Sequence, residues 1–284
     1  MPRDDLASRG HALYDRGDTV AYACKADPRF SYVLYVPEHL GEAGEEPPEL
    51  IVAMHGTGRE NARYRDMFSE FGRYNNCVVL APLFPVGVLG DENRNGYKYI
   101  QEQDIRYDLV LLAMVREVEA RLSVTFPRFM MFGFSGGGHF VHRFALLHPE
   151  RVSAVCVGAP GSVTLLDDGR DWWVGIRDAK ERFGRAVDLE ALRNVRVLAV
   201  VGAADVETWE ITHRPGSPHW LEGANDAGST RIERATTLVA SLREHGVDAE
   251  LCVVPNVSHS VTGVIPAVRE FFREHLRKIR GGAR

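Results

Sequence analysis

The chain has 284 residues, and its 34 Lys and Arg against 39 Asp and Glu give a formal net charge of −5. This charge excludes the basic surface that is typical of nucleic-acid-binding proteins. Hydrophobic residues make up 45% and charged residues 26%, which excludes disorder and fits one large α/β domain or two smaller domains.

Short apolar runs alternate with amphipathic stretches along the chain. The runs predict strands at residues 30–36, 50–54, 77–81, 128–134, 152–157, 195–201 and 249–254. Unbroken aliphatic runs are typical of parallel strands that are covered on both faces. A period near 3.6 predicts helices at residues 104–122, 137–147, 229–245 and 264–279. This alternation predicts an α/β fold with a mostly parallel, doubly wound sheet and helices on both faces.

Three segments connect the predicted strands and helices, and the second and third of them do not fit the alternation. Residues 42–48 are rich in Glu and Pro and predict a solvated turn between strands. Residues 160–194 and 207–227 are long and weakly periodic, and such segments in a compact domain are usually functional. We expect a single domain over residues 1–284, with 160–194 and 207–227 as cover insertions over a site.

The fourth predicted strand leads into Gly133-Phe-Ser135-Gly-Gly137, which matches Gly-x-Ser-x-Gly. In this motif the serine occupies a tight strand-to-helix turn that exposes its hydroxyl. The next amide faces the developing oxyanion, and the helix N-terminus adds positive potential. A glycine-rich turn with a packing role is the alternative, whereas the nucleotide-binding patterns Gly-x-Gly-x-x-Gly and Gly-Lys-Ser/Thr are missing from the sequence. We therefore interpret Ser135 as a nucleophile.

A serine nucleophile needs a base that accepts its proton and an acid that orients the base. With this motif the acid and then the histidine follow the serine along the chain, each after a strand. Asp205 follows the sixth predicted strand and His259 follows the seventh. Asp167 or Asp168 is the alternative acid, because a triad is defined by geometry. The prediction is a triad of Ser135, Asp205 and His259.

The strand at residues 50–54 ends in His55-Gly-Thr57-Gly58, a pattern similar to loops that supply an oxyanion-binding amide. We predict an oxyanion hole formed by the backbone N–H groups of Thr57 and Gly136. Such donors are each worth about 2.7–4 kcal/mol in the transition state. A tight glycine turn without this role is the alternative.

Aromatic and basic residues are the candidates for substrate contacts. The tryptophans of the cover insertions could bind substrate or pack the cover onto the core: Trp172, Trp173, Trp209 and Trp220. Further polar candidates are Arg59, Arg63, Tyr97, Tyr99 and Arg214. His139 and His142 are spaced like two metal ligands, but no third ligand is evident nearby, so we predict a solvent-facing helix and no metal site.

Together, His55–Gly58, Gly133–Gly137, Asp205 and His259 resemble the α/β-hydrolase family, and the resemblance extends from Ser31 to the last helix. Within the family the chain is similar to compact esterases, polyester depolymerases and peptidase-like hydrolases. Dienelactone hydrolases are similar too, although they have cysteine where this chain has Ser135. The resemblance implies hydrolysis of an ester, or secondly an amide, in a small-molecule or oligomeric substrate without a cofactor. Acyltransferases, carbon–carbon hydrolases and catalytically silent receptors on this fold are the alternatives.

The sequence also predicts a compartment. We interpret Cys24, Cys77, Cys156 and Cys252 as core thiols, because each lies in or beside an apolar run and none forms a Cys-x-x-Cys pair. Residues 1–11 lack the apolar segment of a signal peptide, and no run is long enough to span a membrane. We expect a cytoplasmic protein without nucleic-acid or membrane partners, and exposed strand edges and the last helix are compatible with a homodimer.

Overall fold

A computed structural model describes residues 14–41 and 46–281, and within them one large sheet dominates. The strands are β1 Gly17–Asp18, β2 Tyr22–Ala23, β3 Ser31–Val36, β4 Glu49–Met54, β5 Cys77–Leu83, β6 Gln101–Glu102, β7 Ile105–Arg106, β8 Phe129–Phe134, β9 Val152–Gly158, β10 Arg196–Gly202 and β11 Ala249–Val254. The sheet order is β1-β3-β5-β4-β8-β9-β10-β11, with β2 also on β3, while β6 and β7 form a separate hairpin. The strands from β5 to β11 in this order are parallel, and β3 is antiparallel to β5.

Helices cover both faces of this sheet. They are α1 Asn61–Asn75, α2 Tyr107–Leu122, α3 Gly136–Leu147, α4 Ala179–Phe183, α5 Leu189–Leu192, α6 Arg231–Glu244 and α7 Val261–Gly281. Neighbouring residues of a strand point to opposite faces. Val197 of β10 lines an apolar void with Leu146 of α3 and Leu238 of α6, whereas the guanidinium of Arg196 lies 4.5 Å from the ring of Phe271 in α7. Hence α3 and α6 cover one face, and α7 covers the other.

The predicted α/β architecture is confirmed. All seven predicted strands and all four predicted helices are present near their expected bounds. Helix α1 was not predicted, because its buried residues form a narrow stripe that includes Tyr64, Phe68 and Phe71 on an otherwise polar segment. The segment 160–194 contains only the short helices α4 and α5, and 207–227 contains neither helix nor strand. Part of the turn predicted at 42–48 lies outside the described residues.

The four cysteines are free thiols. Cys24, Cys77 and Cys156 are buried as predicted, whereas Cys252 is only partly covered. Burial raises the pKa of the Cys77 thiol to about 12, so this group stays protonated and acts as a small apolar side chain. Among the described residues, no helix is both long and apolar enough to cross a membrane.

The prediction that His139 and His142 face solvent is wrong. Nε2 of His139 accepts hydrogen bonds from the amides of Gly161, at 2.7 Å, and Ser162, at 3.1 Å. Nε2 of His142 accepts one from the amide of Thr164 at 3.0 Å. Desolvation holds the pKa of both imidazoles well below the ordinary value, which keeps them neutral acceptors. The pair therefore anchors the start of the 160–194 segment to α3.

Buried neutral histidines predict a loss of stability in acid. Burial lowers the pKa of six of them: His55, His139, His142, His213, His219 and His275. In the unfolded chain these groups titrate near pH 6.5, so below that pH the unfolded state binds protons that the folded state does not bind. Stability should therefore be complete above pH 6.5 and decrease as the pH falls toward 4. His55, whose pKa is about 3, should alone remove about 2 kcal/mol between pH 6.5 and 5.

Urea unfolding at pH 7.5, 6.5, 5.5 and 5.0 measures this effect. Carboxylates remain mostly ionised down to pH 5.5, so a free energy of unfolding that falls between pH 6.5 and 5.5 reports mainly the histidines. A free energy that stays constant from pH 6.5 to 5.0 would contradict the buried, neutral state of these side chains.

Candidate active site

Ser135 lies at the sharp turn between β8 and α3. Its backbone has φ 56° and ψ −116°, a positive-φ conformation that is costly for a residue with a side chain. Its N–H donates to the carbonyl oxygen of Gly158 in β9 at 2.8 Å, which holds the turn against the next strand. The neighbouring glycines are required sterically, since a Cβ on Gly133 would collide with the backbone of Gly137. This is the strained strand–turn–helix geometry that exposes a nucleophile.

His259 and Asp205 are joined directly. Nδ1 of His259 donates to Oδ2 of Asp205 at 2.6 Å. Asp205 follows β10 and its side chain is fully buried, whereas His259 follows β11 and its side chain is 31% exposed. The His259 ring also packs against Phe134, with ring centroids 4.8 Å apart. The bond on Nδ1 leaves Nε2 as the free, basic nitrogen of the imidazole.

Arg231 is a partner of Asp205 that the sequence does not predict. It is the first residue of α6 and is buried, and its Nη1 lies 3.1 Å from Oδ1 of Asp205. Its Nη2 donates to Oε2 of Glu210 at 2.7 Å. Thr230 and Glu233 form a capping box that fixes the start of α6, and this box is the one sequence signal near Arg231. Asp205 is thus held from two sides, by an imidazole and by a guanidinium.

Neither alternative acid lines the cleft that Ser135 and His259 share. Asp167 accepts a hydrogen bond from the amide of Gly169 at 2.8 Å and pairs with Arg170. Asp168 is exposed. Of the three candidate acids, Asp205 is the one bonded to the imidazole.

Thr57 and Gly136 are adjacent, as an oxyanion hole requires. A Cβ built on Gly136 would lie 2.9 Å from Oγ1 of Thr57. The preceding His55 fixes this loop, because its Nδ1 donates to the carbonyl oxygen of Gly56 at 2.8 Å and its Nε2 accepts from the amide of Phe84 at 3.0 Å. Burial lowers the pKa of His55 to about 3, so the ring is neutral and serves as a structural link.

Arg59 and Tyr64 brace the same loop. Nη1 of Arg59 donates to the carbonyl oxygen of Thr57 at 2.7 Å, and its guanidinium lies 4.9 Å from the ring centroid of Tyr97. The hydroxyl of Tyr64 accepts a hydrogen bond from the backbone of Gly56, and burial raises the pKa of this phenol well above its ordinary value. Tyr64 was not predicted, because it belongs to helix α1, which the sequence pattern does not reveal.

A cleft of about 370 Å³ brings these elements together. Its lining includes Ser135, His259, Thr57, Tyr64 and Glu210. Arg59 and Arg63, two predicted substrate contacts, also line it. Among the described residues, no group of three or more His, Cys, Asp or Glu side chains has the arrangement of a metal site.

The other predicted contact residues lie outside this lining: Tyr97, Tyr99, Arg214, Trp172, Trp173, Trp209 and Trp220. Trp172 and Trp173 are buried, and their indole N–H groups donate to the carbonyl oxygens of Tyr99, at 3.2 Å, and His219, at 3.1 Å. These contacts favour the packing alternative for this pair. Trp209 is 74% exposed, and its role in binding substrate stays a prediction.

Replacing Gly136 with alanine should damage the predicted oxyanion hole. The new Cβ would collide with the hydroxyl of buried Tyr97 and come within 2.9 Å of Thr57 Oγ1, so the Thr57 and Gly136 amides would move apart. Loss of one such donor costs about 10²–10³ in kcat. Ester turnover by Gly136→Ala measures this loss, with Gly281→Ala as the control because no atom lies near its Cβ position. Equal turnover by the two variants would argue against this location of the oxyanion.

Comparison with known proteins places the fold. No protein-family model matches the sequence, and no curated protein matches it significantly. Poly(aspartic acid) hydrolase-1 from Sphingomonas sp. KT-1 has a TM-score of 0.69 at 21% identity, over 85% of this chain and 92% of that chain. The poly(3-hydroxybutyrate) depolymerase LpqC from Bordetella parapertussis has a TM-score of 0.71 at 20% identity, over 92% of both chains.

The fluorophosphonate-binding serine hydrolase F of Staphylococcus aureus is more distant. Its TM-score is 0.57 at 11% identity, over 92% of this chain and 99% of that chain. At these low identities the likeness concerns the fold. The sheet order and these neighbours show that the chain has the α/β-hydrolase fold.

Proposed function

We propose that this α/β-hydrolase-fold protein is a serine hydrolase that cleaves a carboxylic ester through an acyl-enzyme intermediate, with amides as the second class of substrate. The observation that carries the proposal is the 2.6 Å bond between His259 and buried Asp205 at a cleft that Ser135 lines. A base oriented by a carboxylate beside a strained serine is the arrangement that activates a hydroxyl.

The mechanism follows from the tautomer. With its Nδ1–H hydrogen-bonded to ionised Asp205, His259 accepts the proton of Ser135 on Nε2 while Oγ attacks the ester carbonyl carbon. The amides of Thr57 and Gly136 stabilise the oxyanion of the tetrahedral intermediate. The imidazolium then protonates the departing alcohol, and the acyl group remains on Ser135. Water, activated by the same imidazole, releases the acid and restores the serine.

Arg231 contributes by fixing the acid. Its guanidinium holds Oδ1 of Asp205 at 3.1 Å, so that Oδ2 is directed at the imidazole. A buried carboxylate with a single partner would be poorly compensated. Arg231 is therefore a positioning residue in this mechanism.

The structurally similar proteins support a hydrolase function and suggest polymers as further candidate substrates. Two of them are named for poly(aspartic acid) and poly(3-hydroxybutyrate), an amide-linked and an ester-linked polymer. The cleft is lined by an exposed pair, Arg63 and Glu60, which would tolerate polar chains as well as small esters. The free thiols favour a reducing, cytoplasmic environment.

A substrate panel tests this proposal. Esters of 4-nitrophenol with acyl chains of two to twelve carbons, matched anilides and polyester films should be compared under the same conditions. We expect turnover of at least the short esters and slower turnover of anilides. An acyltransferase would instead need added alcohol for turnover, and a silent receptor would show no turnover of any member.

A further inference from the structure

Three cations have no acidic ion-pair partner among the described residues: Arg143 and Arg234, which are buried, and Lys98, which is partly buried. Arg143 of α3 donates to Thr164 Oγ1 at 2.9 Å, Lys98 O at 2.5 Å and Ser162 Oγ at 3.0 Å. Arg234 of α6 donates to three backbone carbonyl oxygens and an amide oxygen, those of Gly228, Gly161, Ile211 and Asn225. Burial lowers the pKa of both guanidinium groups to about 10, so both remain charged at neutral pH.

Lys98 is the third cation, and it reaches the nucleophile turn. Its Cε would lie 2.9 Å from a Cβ built on Gly136, so the side chain occupies the space beside the residue that follows Ser135. Its Nζ donates to Oδ1 of Asn95 at 2.8 Å. An ammonium group has three N–H donors, and Asn95 is the one acceptor that the described residues provide.

The carboxylates at the cleft already have basic partners. Glu60 pairs with Arg63 at 3.1 Å. Glu210 and Asp205 both pair with Arg231, at 2.7 and 3.1 Å, and Asp205 also holds His259. The ammonium group of Lys98, whose side chain lies beside Gly136, therefore has no ion-pair partner among the described residues. A desolvated cation without a counter-ion is costly unless a ligand supplies one.

We infer that Lys98 selects substrates that carry a carboxylate within a few bonds of the scissile ester, such as monoesters of short dicarboxylic acids. This inference rests on the proposed hydrolase function and adds the substrate class. The carboxylate of the bound ester accepts hydrogen bonds from the N–H groups of Lys98 that Asn95 does not use. At the same time the ester carbonyl oxygen lies between the Thr57 and Gly136 amides. A charge-assisted bond of this kind is strong where water is excluded.

The preference should also depend on pH. The pKa of Lys98 is lowered to about 8, chiefly by burial; the charges of Arg59 and Arg143 contribute to the lowering, and Glu210 opposes it. His139 and His219 face the same charge and stay neutral. Below pH 8 the ammonium is charged and the carboxylate is preferred. As the pH rises above 8 the lysine loses its proton and the preference should fall.

Matched substrates test the inference. Monoethyl succinate and ethyl butyrate differ in a carboxylate on the acyl side, and butyryloxyacetate carries the carboxylate on the alcohol side. Released acid or alcohol gives kcat/KM for each at pH 7 and pH 9.5. We expect kcat/KM of the wild type at pH 7 to be at least about tenfold higher for one carboxylate ester than for ethyl butyrate. The comparison of the two carboxylate esters then shows whether Lys98 binds a carboxylate on the acyl side or on the alcohol side.

The variant Lys98→Met keeps the length of the side chain and removes its charge. It should abolish the preference, lowering kcat/KM for the preferred carboxylate ester at least about tenfold more than kcat/KM for ethyl butyrate, and Lys98→Arg should retain the preference at pH 9.5. Lys278→Met, an exposed lysine of α7, is the matched control. Equal loss on all three esters would mean a structural role for Lys98 and would overturn the inference, as would a wild type without preference. Failure of the hydrolase proposal is distinct, because then the wild type would hydrolyse none of these esters.

Discussion

Replacing Ser135 with alanine should lower kcat for every hydrolysed ester by a factor on the order of 10⁶, because the reaction loses its nucleophile and the covalent intermediate. The fold should be unaffected. Alanine keeps the positive φ that Ser135 already tolerates, so the backbone strain is the same in both proteins. The melting temperature should stay within about 2 °C of the wild type.

Ser260 provides the matched control, since its side chain lines the same cleft but has no role in the mechanism. Turnover by Ser260→Ala should fall by less than about tenfold. Retention of wild-type turnover by Ser135→Ala, measured on protein free of contaminating esterase, would exclude Ser135 as the nucleophile. A large loss of thermal stability would instead show that the serine is needed for folding.

Replacing Asp205 with asparagine should lower kcat by about 10⁴-fold. The amide would favour the imidazole tautomer with its proton on Nε2, and that nitrogen could no longer accept the serine proton. The variant should also be less stable by about 2 kcal/mol, because buried Arg231 would lose one of its two carboxylates and keep only Glu210. Steady-state kinetics and urea unfolding measure the two effects separately.

Asp168→Asn is the control for this prediction, because Asp168 and its neighbour Asp167 are the alternative acids that the sequence offers. It should keep kcat within about twofold, as expected for a surface substitution. If Asp168→Asn or Asp167→Asn lost activity and Asp205→Asn kept it, the acid of the triad would lie in the loop after β9. That result would contradict the mechanism.

The sequence was sufficient for the framework of this site because that framework is local. A strand, a turn and a helix are each encoded within a few residues, so the apolar run before Gly133 and the glycines after Ser135 predict their conformation. The order of Ser135, Asp205 and His259 then places each side chain at the same edge of the parallel sheet. The structure adds the direct bond between Asp205 and His259.

The remaining features depend on contacts between distant segments. Arg231 is 26 positions from Asp205, and nothing local distinguishes it from a solvated helix residue. The prediction for His139 and His142 was wrong because two polar residues one helical turn apart resemble a solvent-facing stripe. Both imidazoles instead accept hydrogen bonds from backbone amides of the loop after β9. Lys98 likewise becomes informative only through its position beside Gly136.

Labelling with a fluorophosphonate tests the central claim most directly, because this class of reagent reacts with an activated serine and not with ordinary hydroxyl groups. Intact mass and peptide mapping should be performed on the wild type, Ser135→Ala and Asp205→Asn. We predict one adduct on the wild type, located on Ser135, no adduct on Ser135→Ala, and much slower labelling of Asp205→Asn. An unlabelled wild type, or an adduct on another residue that persists in Ser135→Ala, would contradict the proposed active site.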